Sequence, residues 1–422
     1  MNNIILFDNE SRELLLPLTF TRPVGELRLG ILTIKEKWEK ALNGKVSHIT
    51  QDYLSVKYPI HIEEENFVID GSILPSPALV RLVNQLKVNE ALMDGEEFIA
   101  AKVTKKQLLH LMNNEEIETL EGLDIEGISF LKIKHTWDLF RLNEAAIQLD
   151  FDLLTRNRAS APISKSNSVN NKEQIFLEEG ARVENSVLNA ENGPVYIGKN
   201  AEIMEGCLVR GGLSLGEGSV LKMGTKIYGP TTIGPYCKLG GEIKNSVVLG
   251  YSNKAHDGYL GNSVIGEWCN LGANTNVSNM KNNYSNVKVW NYPQMNYIDS
   301  GQQFCGVVIG DHSKCGIHTM LNTGTILGVS TNIFGSGFPD KFLPSFSWGG
   351  VESHHTYLLE KAYQAADKVY RRRKKSFDQT EKNILLAIFE QTHKFRKWEL
   401  SENSKMADQK SGAKLTRQSS SF

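Results

Sequence analysis

The chain has 422 residues, 40% of them hydrophobic and 23% charged, with a formal net charge of -1. That length holds two or three domains with a sizeable core, and the near-neutral balance excludes a dedicated nucleic-acid binder, which carries a basic excess. No run of about 18 apolar residues occurs, and the opening MNNIILFDNESREL lacks the basic start and apolar stretch of a signal peptide. A cytoplasmic protein with small-molecule partners, and with no nucleic acid or membrane among them, is therefore expected. The five cysteines are odd in number and show no CxxC spacing, which fits reduced side chains.

Residues 1–155 mix strand-like runs, Asn3 to Phe7 and Phe67 to Asp70, with helical periodicity in 26–42, 77–87 and 138–150. That alternation predicts an α/β domain. The stretch TFTRPVGELRLGILTIKEKW at 19–38 resembles the glycine-containing loop and first helix of the sugar-nucleotide nucleotidyltransferases, a Rossmann-like class that cradles a nucleoside triphosphate there. The resemblance implies nucleotide contacts from Arg22, Gly25, Arg28 and Lys37. The usual G-x-G-T-R-M is absent, and the domain is shorter than that family's norm. Asp70 ends a predicted strand in FVIDGSILP, where this class places a Mg2+-binding aspartate; an ordinary turn aspartate before glycine stands beside that reading. In HTWDLFRLNEAAI, Asp138 and Asn143 are secondary-ligand candidates or helix caps.

The polar stretch 156–174 reads as a linker. Beyond it, Ile197, Ile203, Val209, Leu215, Leu221, Ile227, Ile233 and Leu239 stand six residues apart, with Gly following at 198, 216, 234 and 240. Neither a helical nor a two-residue period explains this. A solenoid over 175–350 does, with three six-residue strands per triangular coil. Each inward aliphatic stacks on those of the neighbouring coils, and burying one stabilises by roughly 1.5–3 kcal/mol. Two further registers follow, one through Tyr259, Ile265, Leu271 and Val277, the other through Ile309, Cys315, Leu321, Leu327 and Ile333. Tyr259 thereby falls in the inward column. The gaps before them exceed a multiple of six by two, which predicts an insertion at each place. The second, around 278–304, is long, polar and aromatic, as a projecting binding loop would be.

From 351 to 400 the pattern is helical, with Leu358, Leu359, Ala362, Tyr363, Ala366 and Tyr370 on one stripe and Asp378 with Glu381 as a capping box. These helices are expected to cap the open end of the solenoid. Arg371 to Lys375 reads as a solvated helix end, and 401–422 as a disordered tail.

Residues 242–275 carry Glu242-Ile243-Lys244, His256, Tyr259-Leu260-Gly261 and Asn270-Leu271-Gly272-Ala273. With those separations the segment resembles the acetyltransferase part of the bifunctional N-acetylglucosamine-1-phosphate uridyltransferase and glucosamine-1-phosphate N-acetyltransferase family (GlmU-type). The resemblance implies a left-handed parallel β-helix, a homotrimer with sites completed by a neighbour, and two activities. Acetyl-CoA would acetylate glucosamine 1-phosphate, and UTP with Mg2+ would convert N-acetylglucosamine 1-phosphate to UDP-N-acetylglucosamine. It implies His256 as general base, Lys244 and Tyr259 as sugar-phosphate ligands and Asn270 as a sugar contact. A further Asn-Tyr contact falls on Asn279 by residue count or on Asn283-Tyr284 by identity. The family's nearby phosphate-binding arginine has no counterpart, because one coil is shortened around Lys238 to Gly240.

The chemistry supports those roles. Acetyl transfer to an amine needs a base, and a histidine with a pKa of about 6.5 suits it. A backbone N–H between Gly272 and Asn274 can face the oxyanion, and a lysine beside a tyrosine hydroxyl suits a phosphate monoester. His256 with His312 and His318 would supply the count for an intersubunit zinc site, although surface or coenzyme-side histidines are the simpler reading. Two alternatives stand: an acyltransferase acting on another amino sugar with an inert front domain, and a non-catalytic assembly subunit.

Overall fold

The computed structural model describes residues 1–113, 115 and 120–399; the tail expected at 401–422 lies outside the described residues. The chain adopts the expected α/β domain, parallel β-helix and C-terminal helices.

In the front domain Asn2–Phe7 lies between Gly44–Ile49 and Glu65–Asp70, both parallel to it. Glu97–Thr104 and Glu90–Asp94 add antiparallel pairings, and Glu121–Asp124 ends a six-stranded mixed sheet. Helix Ile34–Ala41 starts where Thr33 and Glu36 form a reciprocal capping box, satisfying two N–H groups that a helix start otherwise leaves unpaired.

The solenoid has three faces of stacked parallel strands. The first begins at Ser168–Asn170, paired with Val187–Asn189, so the ladder starts inside the stretch read as linker. The second runs through nine strands from Ile175–Leu177 to Phe342–Leu343, and the third from Arg182–Val183 to Ser347–Gly349. The last edge of the third face is met by an antiparallel strand, His354–Thr356, not by helices. Helix Leu359–Arg372 instead runs back along the rod, where Arg373 Nη2 donates to the Tyr236 carbonyl at 2.8 Å.

The inward column corrects two expectations. Leu260 is the inward residue, fully buried, while Tyr259 beside it is half-buried and lies on the outer side. Nothing is inserted before it. Leu221 pairs with Leu239 and Leu239 with Lys254, so an 18-residue coil is followed by one of 15, and the next, from Asn253 to its partner Asn270, has 17. The rhythm fails because coils are tightened at their corners. Gly240-Gly241 make one such corner two residues shorter than Lys222 to Thr225 in the coil before, and Gly241 adopts φ +83°, open to glycine without strain.

The second interruption is an insertion, but it does not project as a whole. Lys288–Asn291 and Asn296–Asp299 form a hairpin with Val287, Val289 and Tyr292 buried. The Tyr292 ring meets Phe20 of the front domain, Phe342 of the solenoid and Phe395 of the C-terminal segment at 5.3–5.5 Å. The alternating apolar residues fold the hairpin down as a clamp.

A corner ladder holds the C-terminal helix. Tyr236, Tyr251, Trp268 and His312 occupy the same corner of successive coils, all with positive φ, and their rings stack. Tyr370 of the helix closes on Trp268 at 4.1 Å.

Candidate active site

The tightened corner leaves a notch. A hollow of about 560 Å³ is lined by Lys222, Met223, Gly240, Gly241, His256, Asp257, Ala273, Asn274 and His318. His256 is exposed in it, and its imidazole makes no hydrogen bond to the described residues. The loop carrying it is tethered from below. Lys254 takes an inward position of the column, 2% exposed, and its Nζ donates to the carbonyls of His256 at 2.9 Å and Gly240 at 3.3 Å. Burial pulls the Lys254 ammonium down to about 8, with Asp257 acting the other way.

On the adjoining first face, Lys244 and Tyr259 stand on neighbouring rungs, since Glu242 pairs with Tyr259 and Lys244 with Gly261. Lys244 Nζ lies 5.7 Å from the Tyr228 ring centroid and 5.5 Å from that of Phe304, with no carboxylate in ion-pair range among the described residues. Asn279 Nδ2 donates to Tyr259 Oη at 3.1 Å and to Asn262 Oδ1 at 2.8 Å. That leaves the phenolic proton available to a ligand. Burial pushes the Tyr259 hydroxyl up, so it remains a donor at neutral pH. Of the two readings for the Asn-Tyr contact, Asn279 is brought to Tyr259, whereas Tyr284 is 64% exposed in the outer loop. Asn270 projects from the third face and shares a second hollow with His256.

The backbone beside His256 offers one oxyanion donor. Gly272 and Asn274 donate their N–H groups to the carbonyls of Cys315 and Asp257. Ala273 N–H has no partner among the described residues, and Ala273 lines the notch.

The histidine trio is not assembled. His318 lines the notch with its Nδ1 paired to Asn274 Nδ2 at 2.8 Å, but His312 is buried in the corner ladder. Among the described residues no group of three or more His, Cys, Asp or Glu could hold a metal ion.

In the front domain the implied nucleotide contacts are spent on internal bonds. Arg22 is buried and paired with Asp311 and Glu267 of the solenoid. Arg28 bonds the Ile31 carbonyl and Glu36. Lys37 is buried against Asp150, whose carboxylate also accepts the N–H groups of Ile31 and Leu32. A side-chain carboxylate thus occupies the backbone donors a phosphate would need. Gly25 is packed: a Cβ there would lie 2.7 Å from Leu6 and 2.9 Å from His48. Asp138 accepts from the N–H groups of Lys134 and His135, and Asn143 bridges Gly30 to the Pro230 carbonyl. Asp138 thus fixes the turn before its helix and Asn143 docks the solenoid; neither caps a helix.

Asp70 is 1% exposed and accepts from Asn9, Lys132, the Ser72 N–H and the Ser72 hydroxyl at 2.6–2.9 Å. Lys132 bridges it to Glu97. An ammonium stands where a divalent cation would sit, and the carboxylate has its full set of donors. The residues present do not fit Mg2+.

Residues 4–159 match the family model described as sugar nucleotidyl transferase. The match is confined to the front domain. The chain is 30% identical over 166 residues to a bifunctional sugar-1-phosphate nucleotidylyltransferase/acetyltransferase of Sulfurisphaera tokodaii, covering 38% of this chain and 39% of the relative. It is 34% identical over 87 residues to the bifunctional protein GlmU of Methanococcus aeolicus, 21% of this chain and 20% of that one. For GlmU of Synechococcus elongatus the figures are 28% over 176 residues, 40% and 34%. The chain thus spans well under half the length of these relatives. A solved UDP-N-acetylglucosamine acyltransferase of Arabidopsis aligns with 52% of this chain and 79% of its own at 14% identity, with a TM-score of 0.22; the form of the solenoid rests on its own strand ladders. Sequence reasoning missed three residues that organise the front domain and the notch: Asp311, Lys132 and Lys254. Only Lys254 had a legible signal, a lysine six positions before Leu260 in an otherwise aliphatic column.

Proposed function

We propose that the solenoid is an N-acetyltransferase for an amino-sugar 1-phosphate, taken as glucosamine 1-phosphate, with acetyl-CoA as donor. The observation that supports it best is the exposed His256 on a tethered corner loop that leads directly into the strand carrying Tyr259. In this reading Lys244 supplies charge and Tyr259 a directed O–H to the phosphate. His256 removes a proton from the attacking amine, whose nitrogen bonds to the thioester carbonyl carbon. Ala273 N–H faces the oxyanion. The C–S bond then breaks, and the thiolate leaves to take up a proton. Asn270 contacts the substrate from the third face, and a homotrimer in the cytoplasm completes the proposal; its mass in solution tests the assembly.

The direct experiment is thiol release from acetyl-CoA with glucosamine 1-phosphate. His256→Ala is expected to lower kcat on the order of 10²–10⁴-fold, the usual contribution of a general base. Equal release by wild type and variant would remove the base and the reading with it.

Uridylyl transfer from UTP to N-acetylglucosamine 1-phosphate in the front domain is the second reading, favoured by the family match over 4–159. The internal bonds of Arg22, Arg28 and Lys37 and the lysine on Asp70 weigh against it. Pyrophosphate release from UTP and N-acetylglucosamine 1-phosphate decides it. No release would leave an acyltransferase whose front domain serves as a scaffold.

A further inference from the structure

His256 also borders a second hollow, of about 660 Å³, between the third face and helix Leu359–Arg372. Its wall carries four cations, Lys238 and Lys314 from the solenoid and Arg372 and Arg373 from the end of the helix, and no carboxylate. None of the four has an acidic partner within ion-pair distance among the described residues. Lys314 donates to the His312 carbonyl at 2.9 Å and Arg373 to the Tyr236 carbonyl at 2.8 Å; these bonds fix the two side chains without neutralising them. Four like charges around one cavity repel one another unless an anion lies among them.

The spacing narrows the anion. Lys238, Asn253, Asn270 and Lys314 are register partners on successive rungs. At about 4.8 Å per rung the two lysines are roughly 14 Å apart, with two amide side chains between them. That is a row of donors matched to an extended ligand bearing more than one phosphate group, with the arginines closing the outer side. We propose that this hollow is a phosphoanion site, completed within one chain by Arg372 and Arg373. Its ligand is the diphosphate of a nucleotide co-substrate whose reactive end reaches His256. The identity of that ligand rests on the acetyl-transfer reading; the anion site itself does not.

Calorimetric titration of the full chain with inorganic pyrophosphate, coenzyme A and glucosamine 1-phosphate tests it. Lys238 and Arg372 are both exposed, so Lys238→Gln/Arg372→Gln is expected to keep the wild-type Tm. Pyrophosphate and coenzyme A are expected to bind the wild type, more weakly as salt is raised, and the double variant about tenfold more weakly. His256→Ala is expected to bind both as wild type does, so loss of acetyl transfer and loss of anion binding are separate results. A tenfold loss confined to glucosamine 1-phosphate would keep the phosphoanion site and assign it to the sugar. Unchanged binding of all three in the double variant, or no binding of any by the wild type at millimolar concentration, overturns the proposal.

Discussion

The guanidinium of Arg22 closes on the carboxylate of Asp311, 289 residues further along the chain. Thr21 adds a hydroxyl to the same carboxylate at 2.8 Å, and Glu267 lies 3.2 Å from Arg22. The loop that resembles a nucleotide cradle is therefore the latch between domains. Replacing Arg22 by Met leaves Asp311 buried without its cation, which typically costs about 3–5 kcal/mol. The expected outcome is a lower Tm and faster proteolysis between the domains. A variant as stable as wild type would remove the latch.

The corner at Gly240-Gly241 makes the notch, so it should control turnover more than folding. A Cβ on Gly241 would lie 2.6 Å from the Gly258 carbonyl oxygen and 3.0 Å from the Asp257 Cα, in the loop that carries His256. Gly241→Ala must push that loop outward, and misplacement by about 1 Å can cost up to 10²-fold. A fall of roughly tenfold or more in kcat for acetyl transfer is expected, with circular dichroism unchanged. Wild-type kcat would show that the corner does not set the position of His256.

Lys254 ties that loop to the solenoid interior, at the expense of a buried charge. Its folded pKa, about 8, is depressed below the ordinary 10.5. Between those values the unfolded chain holds the extra proton, so stability rises with pH across the window, and below pH 8 the full burden is present. Lys254→Met is expected to lack that rise and to be relatively more stable at pH 7 than at pH 10. It is also expected to lower kcat about tenfold, as the two carbonyls lose their donor, with little change in KM for the sugar phosphate. Unfolding midpoints across pH 7–10 and steady-state kinetics check both halves.

The solenoid was legible because one inward residue per strand leaves a six-residue signature, and the candidate site residues stood out because Glu242, Lys244, His256 and Tyr259 keep fixed separations. The slip between Leu239 and Tyr259 was misread because a period counts residues, not directions. Two shortened corners and an insertion give the same offset, and only pairing distinguishes them. The front domain misled for a different reason. Arg22 and Lys37 look the same in sequence whether they face a triphosphate or a carboxylate brought in by distant chain, and Asp311 and Asp150 arrive through tertiary contact alone. The corner ladder of Tyr236, Tyr251, Trp268 and His312 was within reach, since each stands three residues after an inward aliphatic, at 233, 248, 265 and 309.

That ladder gives the fold an acid-sensitive point. His312 is buried beside Trp268 and Tyr370, and burial, aided by Lys314, Lys57 and Arg22, holds its imidazole well below the ordinary 6.5. Below pH 6.5 the unfolded chain takes up a proton that the folded chain refuses. Stability therefore falls as pH drops from 6.5 toward the folded value, by at most about 1.4 kcal/mol per pH unit from this group. His312→Phe keeps the ring stack and removes the proton. It is expected to flatten the acid limb of a Tm-against-pH profile between pH 6.5 and 5 while leaving Tm at pH 7.5 within a few degrees of wild type. Parallel acid limbs in the two proteins would assign the sensitivity to other groups.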